Sequence, residues 1–423
     1  PKQTWSTKAT KLYRPFGNTM TISNISAADA TLNTLLTAHV QKIIFNLSYM
    51  ALEIREMLTK SDKRKFIKFP FQLYKDNPYW VPPLIMEEMG TLDPKKNPAF
   101  DFCEAKLWMA YDDGKPVGRI AAFINYRANE TWKNKQARFG WIDFIDDQKV
   151  VDLLFKTAED WARSKGMEAI HGPLGFTDMD KEGMLIEGFN ELGTIATIYN
   201  HPYYQKLTEK AGYTKDTDWV DFEIKPAEVV IPEKHQRIAE IVKQKYGLKV
   251  IQFKKSKEIL SYAPQIFNVL NQAFAPLYGF TPLTDKQVKH YIKMYFSFVI
   301  PELIPVIVDA NNQVIAFGIT LPSLSKAMQK ANGKLFPFGF IHLLRGLKKS
   351  TTIDFYLIGV KPEYQSKGVN SLLFTDLIPK YIKRGFITAE TNPELENNDM
   401  VKRQWEYFNP RQHKRRRAYI KHL

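Results

Sequence analysis

The sequence predicts a mixed α/β (α+β) protein of two tandem domains, and three observations support it. The chain has 423 residues, more than one hydrophobic core usually organises, so two domains are the default. Strand-period and helix-period stretches alternate along both halves, each with a hairpin pattern ahead of a further strand, so the halves read as diverged copies of one unit. Between them Lys225-Pro226-Ala227-Glu228-Val229-Val230-Ile231-Pro232 carries two prolines and no helical period. This places a linker at 226–232, an N-terminal domain at 51–225 and a C-terminal domain at 233–423. A hydrophobic fraction of 44%, with 13% aromatic residues, suffices for packed cores.

Residues 1–50 are rich in Ser, Thr and Asn, with one helical patch from Ala30 to Tyr49, and lack the small-residue cleavage site of a signal peptide. They read either as a disordered N-terminal extension or as upstream sequence ahead of a true start at Met50. The N-terminal domain then brings the strand Lys106 to Tyr111, the turn Asp112-Asp113-Gly114 and the strand Pro116 to Ile124, a hairpin. After Phe139 to Ile145 comes Asp146-Asp147-Gln148-Lys149-Val150. Two carboxylates there suit a helix cap and repel a phosphate at the same amides. His171 reads as a packed or exposed residue, and the acidic segment Asp178 to Gly183 as a solvated turn in preference to a cleft-lining loop. In the second domain, helical patterns cover His235 to Lys245, Ile259 to Phe274 and Thr284 to Phe298, and a hairpin joins Pro305–Asp309 to Val314–Gly318.

The most informative stretch follows. Thr352 to Val360 is β-branched and aromatic with short-range alternation, while Leu372-Leu373, Leu377-Ile378 and Tyr381-Ile382 recur at helical spacing. A helix opening from a Gly-containing loop leaves its first N–H groups free and turns the positive end of its dipole toward any anion placed there. Val360-Lys361-Pro362 followed by Gln365-Ser366-Lys367-Gly368-Val369-Asn370 resembles the acyl-CoA-binding motif of the GNAT acyltransferase superfamily. In that motif Gln or Arg, two variable residues, Gly, one variable residue and Gly or Ala follow a Val-x-Pro strand end. Asn370 departs from it, standing where a small residue is usual. The next strand, Phe386 to Asn392, the helix start with Glu396, Asn397 and Met400, and the pattern from Pro78 to Gly118 are similar to a group of bacterial GNAT-like proteins of nearly two-domain length.

The resemblance implies two tandem GNAT-like domains, each a mixed, mostly antiparallel twisted sheet flanked by helices, the first without a phosphate loop. It implies acetyl-CoA or a longer acyl-CoA as co-substrate and no metal. Its contacts would come from Ile358, Val360, Gln365, Ser366, Lys367, Gly368, Val369, Asn370, Ser371 and Asn397. The implied reaction is direct attack of an amine on the thioester, which needs a base, an oxyanion donor and an acid for the thiolate. Alternation places Asp354, Tyr356 and Ile358 on one strand face, making Asp354 the candidate base, with Glu390 as its rival. The tyrosine acid usual in the family falls at Gln404, so Tyr407, one turn further along, is its substitute.

A segment unusual for a small acetyltransferase, Leu324 to Lys349, is aromatic, apolar and basic at once. Packing of Phe336, Phe338, Phe340 and Leu343 between the domains is the first expectation, an interfacial or acyl-covering segment the second. The net charge of +15, densest at Lys414-Arg415-Arg416-Arg417, suits a solvated face or a polyanionic partner. A small-molecule amine acceptor is expected, with an acyl carrier protein or weak membrane-surface contact as further partners. No nucleic acid is expected, since no recognised binding motif accompanies the cluster. The single cysteine, Cys103, suits a reducing cytoplasm. The competing readings are carrier-protein-dependent acylation of an amino acid or lipid headgroup, and a CoA-binding or sensory protein without turnover.

Overall fold

The computed structural model describes residues 52–229, 233–295, 299–406 and 408–423. The expected extension at 1–50, the end of the linker and Tyr407 lie outside the described residues.

The N-terminal half opens with β1 (Glu53–Glu56), α1 (Lys60–Leu73) and α2 (Ile85–Thr91). Thr59 starts α1 reciprocally: its hydroxyl accepts from the Asp62 amide and the Asp62 carboxylate accepts from the Thr59 amide, both at 3.1 Å. Then come β2 (Cys103–Asp112), β3 (Lys115–Asn125), α3 (Tyr126–Trp132) and β4 (Gln136–Phe144). After the acidic loop, Asp147 caps α4 (Gln148–Ser164) by accepting from the Lys149 amide at 2.8 Å. Val150, Val151, Leu154, Phe155, Ala158 and Ala162 recur at helical spacing and bury α4 against β3 and β4. β5 (Ala169–Gly172), β6 (Met184–Glu187), α5 (Tyr203–Lys210) and β7 (Thr214–Ile224) complete the half.

The C-terminal half repeats the plan. Four helices and a short strand come first: α6 (Glu233–Lys245), β8 (Lys249–Ile251), α7 (Ser256–Leu260), α8 (Ala263–Phe274) and α9 (Asp285–Tyr295). The hairpin β9 (Val306–Val308) and β10 (Val314–Pro322) leads into a helical hairpin, α10 (Ser325–Ala331) and α11 (Gly339–Lys349). β11 (Thr352–Val360), α12 (Asn370–Arg384), β12 (Thr388–Glu390), β13 (Glu394–Leu395), α13 (Asp399–Glu406) and β14 (Arg411–His422) finish the chain.

The strands form one continuous sheet in the order β1-β2-β3-β4-β5-β14-β7-β12-β11-β10-β9-β8, with β13 on β7 and β6 on β14 off that path. β4 runs parallel to β5, and β11 runs parallel to β12. Each of these pairs is continued by the final strand of the other half: β14 lies antiparallel on β5, and β7 lies antiparallel on β12. β7 and β14 pair with each other over most of their length, so the halves exchange strands at the centre. Paired this way, neither β5 nor β12 is left as an open edge. In the C-terminal half the sheet separates two cores. Phe267, Leu270, Phe317 and Leu321 pack on the α8 face, and Phe355, Phe374, Leu377, Tyr381 and Trp405 on the α12 face.

Candidate active site

β11 and β12 are in register for three pairs only, ending at Asp354 opposite Glu390, after which they part. The chain beyond β12 leaves for β13, which pairs with β7. Asn392 bridges the opening by donating its side-chain amide to the Tyr356 carbonyl at 3.1 Å. At the same level the β10–β11 ladder skips a residue: Thr320 faces Phe355 and Ile319 faces Leu357, leaving Tyr356 as a bulge. The bulge corrects the expected alternation. Ile358 packs on the α12 face with Ile353 and Phe355, away from Asp354.

Asp354 and Glu390, expected as rival bases, are thus direct cross-strand neighbours. The row continues, since Glu390 faces Glu223 of β7 and Glu223 faces Arg411 of β14. β14 has its own bulge here, with Gln412 opposite Phe222 and Lys414 opposite Asp221, so that His413 is the extra residue. The His413 Nε2 lies 3.6 Å from Glu390 and its Nδ1 lies 3.6 Å from Glu191. Neither ring nitrogen is in a hydrogen bond, and burial drives the ring down to about 4, so it is neutral. Sequence reasoning passed over His413, Glu191 and Glu223. A lone histidine in a basic strand carries no spacing signal, and the two glutamates lie far from Asp354 in the chain.

The electrostatics of the row are uneven. Lys414, almost fully buried, pairs with Glu390, and Arg411 pairs with Glu191 at 2.7 Å and Glu223 at 3.2 Å. Burial first, then the Glu390 carboxylate, push the Asp354 carboxyl up to about 8, against the pull of Ser323, Lys414 and Tyr356. Neither Asp354 oxygen is in a hydrogen bond of good geometry. Burial also raises Glu390, which Lys414 draws back down. The carboxylates of Glu390, Glu223 and Glu191 thus face Lys414 and Arg411 across the row.

Above it opens a cavity of about 540 Å³. Glu390, Glu223, Glu191, His413 and Ser323 line it, together with Thr352 and Thr388 at the start of β11 and β12. Its other wall is the α10–α11 hairpin, with Lys326, Lys330, His342, Arg345 and Lys349. The hairpin is anchored to the N-terminal half: Leu343 packs with Leu324, Ala327, Met328 and Val81, and Gln329 donates to the Pro78 carbonyl at 2.8 Å. The expectation that the aromatic residues here also pack inside is corrected. Phe336, Phe338 and Phe340 are exposed: the first two precede α11, and that helix turns its Leu343 side inward.

At the far end of β11 lies the expected phosphate loop. Among the described residues, no backbone carbonyl accepts from the amides of 366–370. Positive φ at Ser366 (57°) and Gly368 (79°) turns the loop into α12, whose first residue is Asn370. Gln365 donates to the Val360 carbonyl at 3.1 Å and Ser371 to the Gly368 carbonyl at 2.6 Å, so both side chains hold the loop's shape. Lys367 reaches over the rings of Tyr246 and Tyr364. Val369 is buried against α6, where a Cβ on Gly368 would also meet Ile238 at 2.9 Å. Ser366 touches Met400 of α13 at 3.7 Å, while Asn398, next to the expected Asn397, accepts from the Val401 amide at that helix start. The free amides and helix terminus fit a pyrophosphate.

Two other sequence candidates lie elsewhere. His171 is buried, with its Nδ1 2.8 Å from the Tyr278 hydroxyl, which makes it a packing residue. The Asp178–Glu182 segment is half-buried, not solvated, and burial pushes Asp178 up to about 7.

No family model matches the chain. Protein YghO of Escherichia coli K12 is 30% identical over 383 residues, covering 89% of this chain and 97% of that one. The bacterial ceramide synthase of Caulobacter vibrioides is 31% identical over 324 residues, covering 74% of this chain and 82% of that one. Among solved structures, a tandem GNAT protein from the clavulanic acid biosynthesis pathway superposes with a TM-score of 0.51 at 11% identity, covering 88% of this chain and 98% of that one. A glucosamine N-acetyltransferase region of a fungal β-N-acetylglucosaminidase superposes with a TM-score of 0.50 at 15% identity, covering 88% of this chain and 38% of that one. The mixed sheet with its splayed parallel pair is the GNAT architecture, and the chain belongs to the family of protein YghO and the bacterial ceramide synthase.

Proposed function

We propose that the protein transfers an acyl group from acyl-CoA to the primary amine of a long-chain lipid acceptor of the sphingoid type. The GNAT fold supports acyl transfer in general. The observation that carries the finer reading is Asp354 opposite Glu390 where β11 and β12 part: Glu390 lines the cavity and Asp354 is its buried cross-strand neighbour. The lipid acceptor is supported by the 31% identity to the bacterial ceramide synthase.

The amine arrives as an ammonium ion, and the carboxylates of the Glu390 row are its nearest favourable partners in the cavity. It must lose a proton to attack. Asp354 takes it in its ionised form, a minor fraction at neutral pH that grows as pH rises through about 8, and it is the cross-strand neighbour of Glu390, which lines the cavity. The nitrogen then forms a bond to the thioester carbonyl carbon, the carbon–sulfur bond breaks, and the thiolate leaves with a proton from solvent or from Tyr407. A backbone amide of β11 beside the parting of the strands would donate to the developing oxyanion. The amides of 366–370 would hold the CoA pyrophosphate.

The test is incubation with palmitoyl-CoA or a palmitoyl carrier protein and a sphingoid base, following free thiol and the amide product by mass spectrometry. Amide formation that depends on Asp354 is expected. Thiol release without amide, or equal transfer to small hydrophilic amines, would overturn the reading.

A further inference from the structure

We propose that the α10–α11 hairpin docks on an anionic lipid surface, so that the mouth of the cavity opens onto the leaflet holding the acceptor. This rests on the lipid-acceptor reading and adds where that acceptor is taken from. Phe336, Phe338, Phe340 and Leu344 are 68%, 69%, 39% and 53% exposed. They gather within nine residues, and the three are the exposed phenylalanines among the described residues. Phe340, Leu344 and Lys348 recur every four residues, so one stripe of α11 faces outward while Leu343 and Leu347 face the protein. Cations surround the rings: Lys334, Arg345, Lys348 and Lys349 are exposed and, among the described residues, in no ion pair. Apolar rings bordered by lysines are the composition that lies in a headgroup layer, where the rings leave water and the cations meet lipid phosphates.

The same helix forms the cavity wall through His342, Arg345, Gly346 and Lys349. A lipid amine can therefore pass from the leaflet to the Glu390 row without crossing water. An acidic carrier protein would satisfy the cations but leave the three rings exposed, so a lipid surface is the better fit. No helix among the described residues is long and apolar enough to cross a membrane.

The experiment is co-sedimentation of the full chain with phosphatidylcholine vesicles and with mixed phosphatidylcholine–phosphatidylglycerol vesicles. Binding to the mixed vesicles alone is expected. Phe336→Ser/Phe338→Ser/Phe340→Ser should weaken it by at least about tenfold, and Lys334→Ala/Lys348→Ala by about twenty-five-fold, roughly fivefold per cation. Both variants should acylate a detergent-dispersed acceptor at the wild-type rate and a vesicle-embedded one slowly. Binding that ignores lipid charge, survives both variants, or is displaced by an acidic carrier protein in solution would overturn the proposal. Vesicle binding with no acylation in detergent would leave docking standing and remove the proposed function, and the converse would remove docking alone.

Discussion

Asp354→Asn should make the protein more stable and nearly inactive. The carboxyl has an ordinary value of 3.8 and a native value of about 8. Between these the native state keeps a proton that the unfolded chain gives up. Stability from this residue therefore falls as pH rises from about 4 to about 8 and is level above that. At pH 7 about three pH units of that window have been crossed, at about 1.4 kcal/mol each, a cost of about 4 kcal/mol. Asparagine has the same shape and no charge to desolvate, but its buried amide lacks a partner and gives back about half. A net gain of about 2 kcal/mol at pH 7 remains, on the order of 2 °C in Tm for a chain of this length.

The variant does not titrate, so its advantage over wild type should grow between pH 5 and 8 and then stop. Thermal scans of both proteins across that range measure it directly. Turnover should fall by on the order of a hundredfold or more, and the rise of the wild-type rate through pH 8 should disappear. A stability difference that is flat with pH, or a variant that keeps the wild-type rate profile, would refute the reasoning.

Glu390→Gln should behave oppositely despite lying beside Asp354: it strands the buried Lys414 ammonium and should cost about 3 kcal/mol in chemical denaturation, whereas an unchanged midpoint would show that Lys414 finds another anion. Asn370→Asp sets a carboxylate at the first residue of α12, where it suits the helix dipole, so Tm should hold or rise slightly while the Kd for acyl-CoA, read by calorimetry, rises by roughly tenfold or more; unchanged affinity would remove the pyrophosphate from this loop. Splitting the chain between residues 229 and 233 should give fragments that aggregate when expressed alone and form an active complex when co-expressed, because each half needs a strand of the other; a cooperative melt of either fragment alone would contradict that.

Much of the second half was legible in the sequence for a physical reason. Hydrophobic period switches from two to nearly four across Val360 to Leu372, and such a switch reports local structure directly. Asp147 was legible as a cap because capping is also local. The failures are non-local. The Tyr356 bulge reverses which residues of β11 face which helix, and nothing within nine residues announces it, because it arises in the pairing with β10. The exposure of Phe336, Phe338 and Phe340 depends on which side of α11 finds Leu324 and Val81, so a cluster that reads as core by composition lies outside. His413 is a bulge residue in a strand whose neighbours, β5 and β7, belong to the other half of the chain.

The exchange also fits a first half that carries an acidic cap at Asp147 where the second half carries its Gly-containing loop. Asp354 and Glu390 come from the second half, but Glu191 and Glu223 come from the first. His413, Arg411 and Lys414 ride on β14, which is held between β5 and β7 of the first half. The wall that anchors α10 and α11, through Val81 and Pro78, is first-half chain as well. The loop proposed to hold the donor thus lies in the second half, while the charge row that would receive an ammonium is assembled across the exchange. A first half kept for this purpose needs no pyrophosphate site of its own. It needs β7 in register with β12, so that Glu223 stands beside Glu390, and that register is fixed by the same pairing that brings β14 and His413 into place.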